Sequence, residues 1–193
     1  MKIVLATRNR GKIEELHRIL SDVEVLGLDA FPDAPEVPET EPSFVGNALL
    51  KARAICEHTG LPAVADDSGL CVEVLNGMPG VLSARWSGRL GDATGDKDRA
   101  NLDLLLDQLA DATERVAFFA CAAVLVRPDG TEEVVEGRMH GTIIEEPRGT
   151  NGFGYDPIFL PDGETRTNAE LTATQKDAIS HRGKAFRALA KLI

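Results

Sequence analysis

Polar and apolar positions change period several times along the chain, and each change predicts an element. Lys2 to Ala6 reads as an opening strand, and Ile13, Leu16, Ile19 and Leu20 then recur at helical spacing beyond the Gly11-Lys12 corner. Leu26 to Pro42 carries Pro32, Pro35, Pro38 and Pro42 among acidic residues, a composition that breaks helix and central strand and predicts a long exposed loop. Ser43 is a natural N-cap for a helix with a stripe of Phe44, Ala48, Leu49, Ala52, Ile55 and Cys56, ended by Gly60. Leu61 to Ala65 is a short apolar strand. Gly69 predicts a turn after it, before the strand pattern resumes over Leu70 to Leu75.

Further along, Ser87 to Asp98 is rich in Gly and Asp and reads as a flexible connector without the ligand pattern of a calcium loop. Leu102, Leu105, Leu106 and Leu109 give an amphipathic helix. Val116 to Val126 is a long apolar strand that turns at Pro128-Asp129-Gly130 into a partner strand over Thr131 to Gly137. Thr172 and Gln175 form a capping box ahead of a helix through Ala178, Ile179, Ala185, Phe186, Leu189 and Leu192, which Gly183 interrupts. Helices between strands, combined with a long antiparallel hairpin, predict an α/β fold with a mixed sheet.

Composition narrows the class. The chain has 193 residues, 43% of them hydrophobic, which suits one globular domain over 1-193. The opening residues lack a signal-peptide core and no apolar run approaches about 18 residues, so a cytoplasmic location and no membrane partner are expected. Cys56, Cys71 and Cys121 are scattered in apolar stretches, as buried free thiols are. A net charge of −10 disfavours nucleic acid as a partner, and an anionic ligand then needs a local basic pocket or a bridging cation.

Against that background, four segments carry chemistry. Asp66 and Asp67 fall at the predicted strand end, where a carboxylate pair is exposed, hydrogen-bonded or bound to a metal ion. On spacing alone, the pair reads first as an Asx-type turn capping backbone N–H groups. Thr7-Arg8-Asn9-Arg10-Gly11-Lys12 joins the first strand to the first helix, where backbone N–H groups and the helix dipole favour an anion, although a merely structural loop has the same look. In Phe153-Gly154-Tyr155-Asp156 the aromatics either stack on a planar base or anchor a glycine turn to the core. Lys176, His181, Arg182 and Lys184 concentrate positive charge near the C-terminus, as a polyphosphate site or a solvated basic face.

Taken in order, these segments resemble the inosine triphosphate pyrophosphatase family. The likeness rests on Thr7, Asn9 and Lys12; Ser43-Phe44 with Asn47-Ala48 and Lys51-Ala52; Ala65 to Leu70; Pro79-Gly80-Val81 with Ser83-Ala84-Arg85; Gly154 to Phe159; and Ser180-His181-Arg182-Gly183. It runs collinearly through nearly the whole chain. The resemblance implies a long twisted mixed sheet flanked by helices, two lobes around a central substrate cleft, and a homodimer. It implies hydrolysis of inosine, deoxyinosine and xanthosine triphosphates to the monophosphate and pyrophosphate.

By the same resemblance Asp67 is the catalytic carboxylate, with Mg²⁺ held by Asp67 and Glu39 and with Asp66 in support. Thr7, Arg8, Asn9, Arg10, Gly11, Lys12 and Lys176 bind the triphosphate, and Ser68 makes a further substrate contact. His181, Arg182 and Phe153, Gly154, Tyr155 and Asp156 bind the base. Arg8 stands where relatives often have Gly, and either adds charge at the phosphates or lies on the surface. Competing readings are a pyrophosphatase of the related fold for pyrimidine or modified nucleotides, a phosphatase or ATPase, and a noncatalytic nucleotide sensor.

Overall fold

The computed structural model describes residues 2–20 and 23–193. Among these, six strands form one sheet and six α-helices accompany it. The strands are β1 (Lys2–Leu5), β2 (Glu24–Leu26), β3 (Ala63–Val72), β4 (Val116–Val126), β5 (Glu132–Ile143) and β6 (Phe159–Pro161). The helices are α1 (Arg10–Ile19), α2 (Phe44–Thr59), α3 (Arg89–Thr94), α4 (Lys97–Gln108), α5 (Ala173–Ile179) and α6 (His181–Leu189). Strand order is β2-β1-β3-β4-β5-β6, with β1 parallel to β2 and β3 and with β6 antiparallel to β5. The sheet is therefore mixed, as the hairpin required. None of the described helices is long and apolar enough to cross a membrane.

The chain divides into two compact units, and β3, β4 and β5 each contribute to both. The first unit comprises Met1–Asp67, Cys121–Gly137 and His181–Ile193. Its strands alternate cleanly. Val4, Ala6, Ala63 and Ala65 pack with Ala48, Ala52 and Ile55 of α2, while Ile3, Leu5 and Val64 pack with Leu16 of α1 and Ala185, Phe186 and Leu189 of α6. Successive side chains of a strand point to opposite faces, so α2 covers one face and α1 with α6 the other. At Gly137 on β5 a Cβ would lie 2.2 Å from the His181 carbonyl oxygen and 2.8 Å from the Ala185 nitrogen. Backbone cannot yield there. Gly137→Ala is expected to cost about 1–3 kcal/mol, read as a lowered melting temperature, and an unchanged Tm would show that α6 is free to shift.

The second unit comprises Ser68–Ala120 and Arg138–Ser180. Its core joins Leu70 and Val72 of β3 to Leu102, Leu105 and Leu109 of α4 and to Met139, Ile143, Tyr155, Ile158 and Phe159.

Several sequence expectations hold. Ser43 accepts a hydrogen bond from the Gly46 nitrogen as the α2 N-cap, Gly60 ends that helix at φ 67°, and Thr172 with Gln175 forms the capping box of α5. The β4–β5 hairpin turns where expected, with Arg127 N donating to Thr131 O at 2.9 Å, and β5 runs on to Ile143. Cys56, Cys71 and Cys121 are buried free thiols.

Four expectations need correction. β3 does not turn at Gly69 but continues straight to Val72, because Leu70, Cys71 and Val72 carry the buried pattern onward. Asp66 and Asp67 thus lie within a strand rather than at its end. The segment 87–98 is no plain connector: it folds into α3, and Asp96 caps α4 by accepting from the Arg99 nitrogen. The proline-rich stretch is irregular and mostly exposed as expected, but its first residue, Leu26, closes β2, Leu28–Ala30 form a 3-10 turn, and Ala34 is buried. The C-terminal helix breaks at Ser180, whose ψ is 154°, and not at Gly183, which lies inside α6.

Candidate active site

The pairing of β1 with β3 stops at Leu5 opposite Val64. Just beyond it, β1 departs into the loop leading to α1, while β3 continues into Asp66 and Asp67. Because β1 lies between β2 and β3 and its neighbouring connections use helices on opposite faces, this is a topological switch point. Crevices at the carboxyl ends of strands there are where open α/β sheets bind ligands.

Strand alternation separates the two carboxylates, which the sequence presents as a pair. Asp66 follows Val64 onto the α1/α6 face. It is 1% exposed, with Lys12 Nζ at 2.8 Å and Arg182 Nε at 3.4 Å from its Oδ2. Arg182 also donates to Glu15 through Nη1, so two carboxylates and two cations close a buried network. Burial by itself would push the Asp66 carboxyl up, but Lys12, Arg182 and Lys51 hold it well below the usual carboxylate range. For Arg182, burial opposes the charge and Asp66 and Glu15 more than restore it. The same acid neighbourhood reaches Cys121, whose thiol is raised by burial and then by Asp66.

Asp67 follows Ala65 onto the α2 face and is 5% exposed. Asn47 Nδ2 donates to its Oδ2 at 2.9 Å, and Lys51 Nζ stands 4.0 Å from its Oδ1. The same Lys51 donates to Glu39 Oε1 at 2.7 Å. Here the balance runs the other way. Burial raises the Asp67 carboxyl, Lys51 lowers it and Glu39 raises it again, leaving it above its ordinary value. Lys51 is itself raised, because Asp66, Asp67 and Glu39 outweigh the cost of its burial. Of the acidic residues crowded in the proline-rich loop, Glu39 is thus the one that shares a cation with Asp67.

The strand-to-helix loop has the expected form. Asn9 Oδ1 caps α1 by accepting from Lys12 N at 3.1 Å, and Thr7 Oγ1 accepts from Asn9 N at 3.2 Å. Arg10 opens the helix and Gly11 follows it. Arg8 does something the sequence did not suggest: its Nη2 donates to the Ala34 carbonyl at 3.1 Å, tying this loop to the proline-rich one.

The basic residues near the C-terminus are not a solvated face. Lys176, His181 and Arg182 are each at most 5% exposed, and only Lys184 of the four is exposed. In the second unit Lys176 Nζ lies 2.6 Å from Asp156 Oδ2 and 5.0 Å from the centroid of the Phe153 ring. Asp156 Oδ2 also accepts from Phe153 N at 3.0 Å, and its Oδ1 accepts from Asn168 Nδ2 at 3.1 Å. The two aromatics of the glycine-rich loop divide their roles. Tyr155 is the anchor, 4% exposed with its hydroxyl donating to Ser83 O at 2.9 Å, whereas Phe153 is half-buried beside a cation. Gly154 N is fixed by the Asp98 carboxylate at 2.9 Å, a use of the 87–98 region that composition did not reveal. Ser68, the next residue of β3 after Asp67, is partly buried in the second unit.

Sequence reasoning left Glu15, Asn47 and Lys51 without roles. Asn47 and Lys51 had a readable signal: two polar residues four apart on a helix share a face. Glu15 had none, because its partner lies 167 residues away.

A model of the Ham1 family matches residues 3–192. The chain belongs to the Ham1 family. Among its relatives, the dITP/XTP pyrophosphatase of Streptomyces avermitilis is 62% identical over 198 residues, covering all of this chain and 96% of that protein. A solved Ham1 structure from Coxiella burnetii superposes with a TM-score of 0.89 at 40% identity, covering all of this chain and 98% of that one. A crystal structure described as a nucleoside-triphosphatase, dITP/XTP pyrophosphatase, from Mycobacterium abscessus is 57% identical with a TM-score of 0.78, covering all of this chain and 99% of that one. The Ham1 assignment and the mixed α/β architecture agree with the resemblance carried by the sequence.

Proposed function

We propose that this protein hydrolyses dITP, XTP and ITP to the nucleoside monophosphate and pyrophosphate, removing deaminated purine nucleotides from the pool. The observation that carries the chemistry is Asp67, buried at the switch point with its carboxyl raised and its orientation fixed by Asn47. A carboxylate so placed is suited to accept a proton from water attacking phosphorus. The names of the relatives supply the substrate class.

Glu39 and Asp67, both facing Lys51, form a hard oxygen-donor set, which fits Mg²⁺ bound through one or two carboxylates plus substrate phosphates. These two residues would hold the ion, and when bound it would offset charge on the phosphoryl oxygens. Lys12, Lys176 and the Thr7–Gly11 loop are assigned to the triphosphate, with Ser68 as a further contact. Arg8 is assigned a tether between loops. Phe153 offers a ring for stacking on the base, while Gly154, Tyr155 and Asp156 shape that loop. His181 and Arg182 are assigned to donors that read the six-carbonyl of hypoxanthine and xanthine. Adenine presents an amino group there and leaves such a donor unpaired, a mismatch able to supply up to about 10⁴-fold discrimination. A homodimer and a cytoplasmic location complete the reading.

The test is incubation with Mg²⁺ and ITP, XTP, dITP, ATP, GTP or dTTP separately, following both phosphate products. Pyrophosphate is expected first, with ITP, XTP and dITP turned over far faster than ATP or dTTP. Orthophosphate as the first product, or equal rates on ATP and ITP, overturns it.

A second measurement addresses the base. Lys51 favours the ionised form of Asp67, so Lys51→Met should shift the acidic limb of the pH profile of kcat/KM upward. An unshifted limb would mean that Lys51 does not tune Asp67.

A further inference from the structure

We propose that Asn47 is a positioning residue, one planar amide that sets the Asp67 carboxylate and the Glu39-bearing loop in a single arrangement. The inference rests on Asp67 and Glu39 having the roles given above. Asn47 is fully buried near the start of α2, in a stripe otherwise made of Ala48, Ala52 and Ile55. A polar side chain at such a position is retained at a cost unless its hydrogen bonds are made. Both ends of this amide are used. Its Nδ2 donates to Asp67 Oδ2 at 2.9 Å, and its Oδ1 accepts from the backbone nitrogen of Glu41, also at 2.9 Å. Glu41 lies two residues from Glu39, so the amide spans the strand bearing one carboxylate and the loop bearing the other.

Two independent features point the same way. One turn further along α2, Lys51 repeats the span, reaching Glu39 Oε1 at 2.7 Å and Asp67 Oδ1 at 4.0 Å. The two oxygens of Asp67 are thereby addressed by different residues of one rigid helix. At Gly46, just before Asn47, a Cβ would fall 2.6 Å from Glu41 Cβ and 2.9 Å from its Cγ. The loop is therefore pressed onto the helix at the point where the amide fastens it. A carboxylate held by both a rigid helix and a charged neighbour has few rotamers left, which is what a base and a metal ligand need. Partners that orient ligating carboxylates in this way are typically worth about 10–100-fold in metal affinity or activity.

The experiment compares Asn47→Ala, Asn47→Asp and Asp67→Asn with the parent, measuring kcat and KM for dITP, and Mn²⁺ binding without nucleotide by electron paramagnetic resonance. For Asn47→Ala, kcat is expected to fall about 10–100-fold with KM changed less than about threefold, and Mn²⁺ affinity about 10-fold or more. The isosteric Asn47→Asp keeps an acceptor for the Glu41 nitrogen, and, measured above neutral pH where its carboxyl is ionised rather than sharing a proton with Asp67, it has nothing to donate and is expected to be as defective in kcat. That variant decides the matter should the alanine variant fold poorly. A kcat for Asn47→Ala within about twofold of the parent overturns the proposal. Restoration by Asn47→Asp, a loss confined to KM, or unchanged Mn²⁺ affinity in Asn47→Ala does the same. Asp67→Asn separates the layers: if it turns over normally, the reading of Asp67 fails, and if it is inactive while Asn47→Ala is normal, only the positioning role fails.

Discussion

Asp67→Asn is expected to lower kcat by about 10³-fold, within the range that general-base groups contribute, while leaving the protein folded. The substitution keeps volume and removes charge, and Asn47 can still pair with an amide oxygen at that position. Its effect on stability should have the opposite sign to its effect on turnover. Burial and Glu39 raise the Asp67 carboxyl above its ordinary value, so its ionised form costs the folded state free energy at neutral pH. A neutral amide removes that cost, and the melting temperature should hold or rise. Turnover near that of the parent would remove Asp67 from the mechanism, whatever the effect on melting.

Arg182→Met is expected to be the most destabilising single change, by about 3–5 kcal/mol, because it strands buried charge rather than replacing a whole pair. Arg182 is 3% exposed and donates to Glu15 while lying 3.4 Å from Asp66. In a chain of this length that corresponds to a Tm lowered by on the order of 10 °C, readable by calorimetry. Adding Glu15→Gln to the Arg182→Met variant should recover part of the loss, since one stranded carboxylate is then neutral. A single variant that melts with the parent would show that water reaches Glu15 and Asp66 once the guanidinium is gone. Acid should act on the two neighbouring aspartates in opposite directions. Asp66, held low by Lys12 and Arg182, contributes stability that is complete above its unfolded pKa of about 3.9 and is lost as pH falls toward its folded value. Asp67, held high, is relieved by protonation in the same fall.

Periodicity disclosed most of the architecture because core-facing residues must repeat with the element that carries them. The apolar run bounds β4 and the cap and closing glycine bound α2, whereas the leucines of α4 reveal the helix but not its start at Lys97. The continuity of the strand through the acidic pair is hidden for a physical reason: two carboxylates lower the apparent hydrophobicity of β3, and their compensating cations come from Lys12, Lys51 and Arg182, distant in sequence. The same distance hid the pairing of Glu15 with Arg182. It also leaves Lys176, His181 and Arg182 open to reading as a polyphosphate site or a solvated face, since burial of a cation is legible only when its partner is known. Asp67 stands out in the sequence as half of an acidic pair, whereas only resemblance to a family separates Glu39 from Glu36 and Glu41 in the same loop.

The alternation of β3 places a constraint on the length of this segment that substitutions do not reveal. Because side chains along a strand face alternately, an insertion or deletion of one residue ahead of Asp66 would exchange the faces of both aspartates at once. The carboxylate now neutralised by Lys12 and Arg182 would then face Asn47 and Lys51, and its neighbour would take the opposite place. Both residues would survive in the sequence with their identities intact, and each would stand in the other's electrostatic environment. Spacing from Val64 to Asp67 is therefore as much a part of the chemistry as the aspartates themselves.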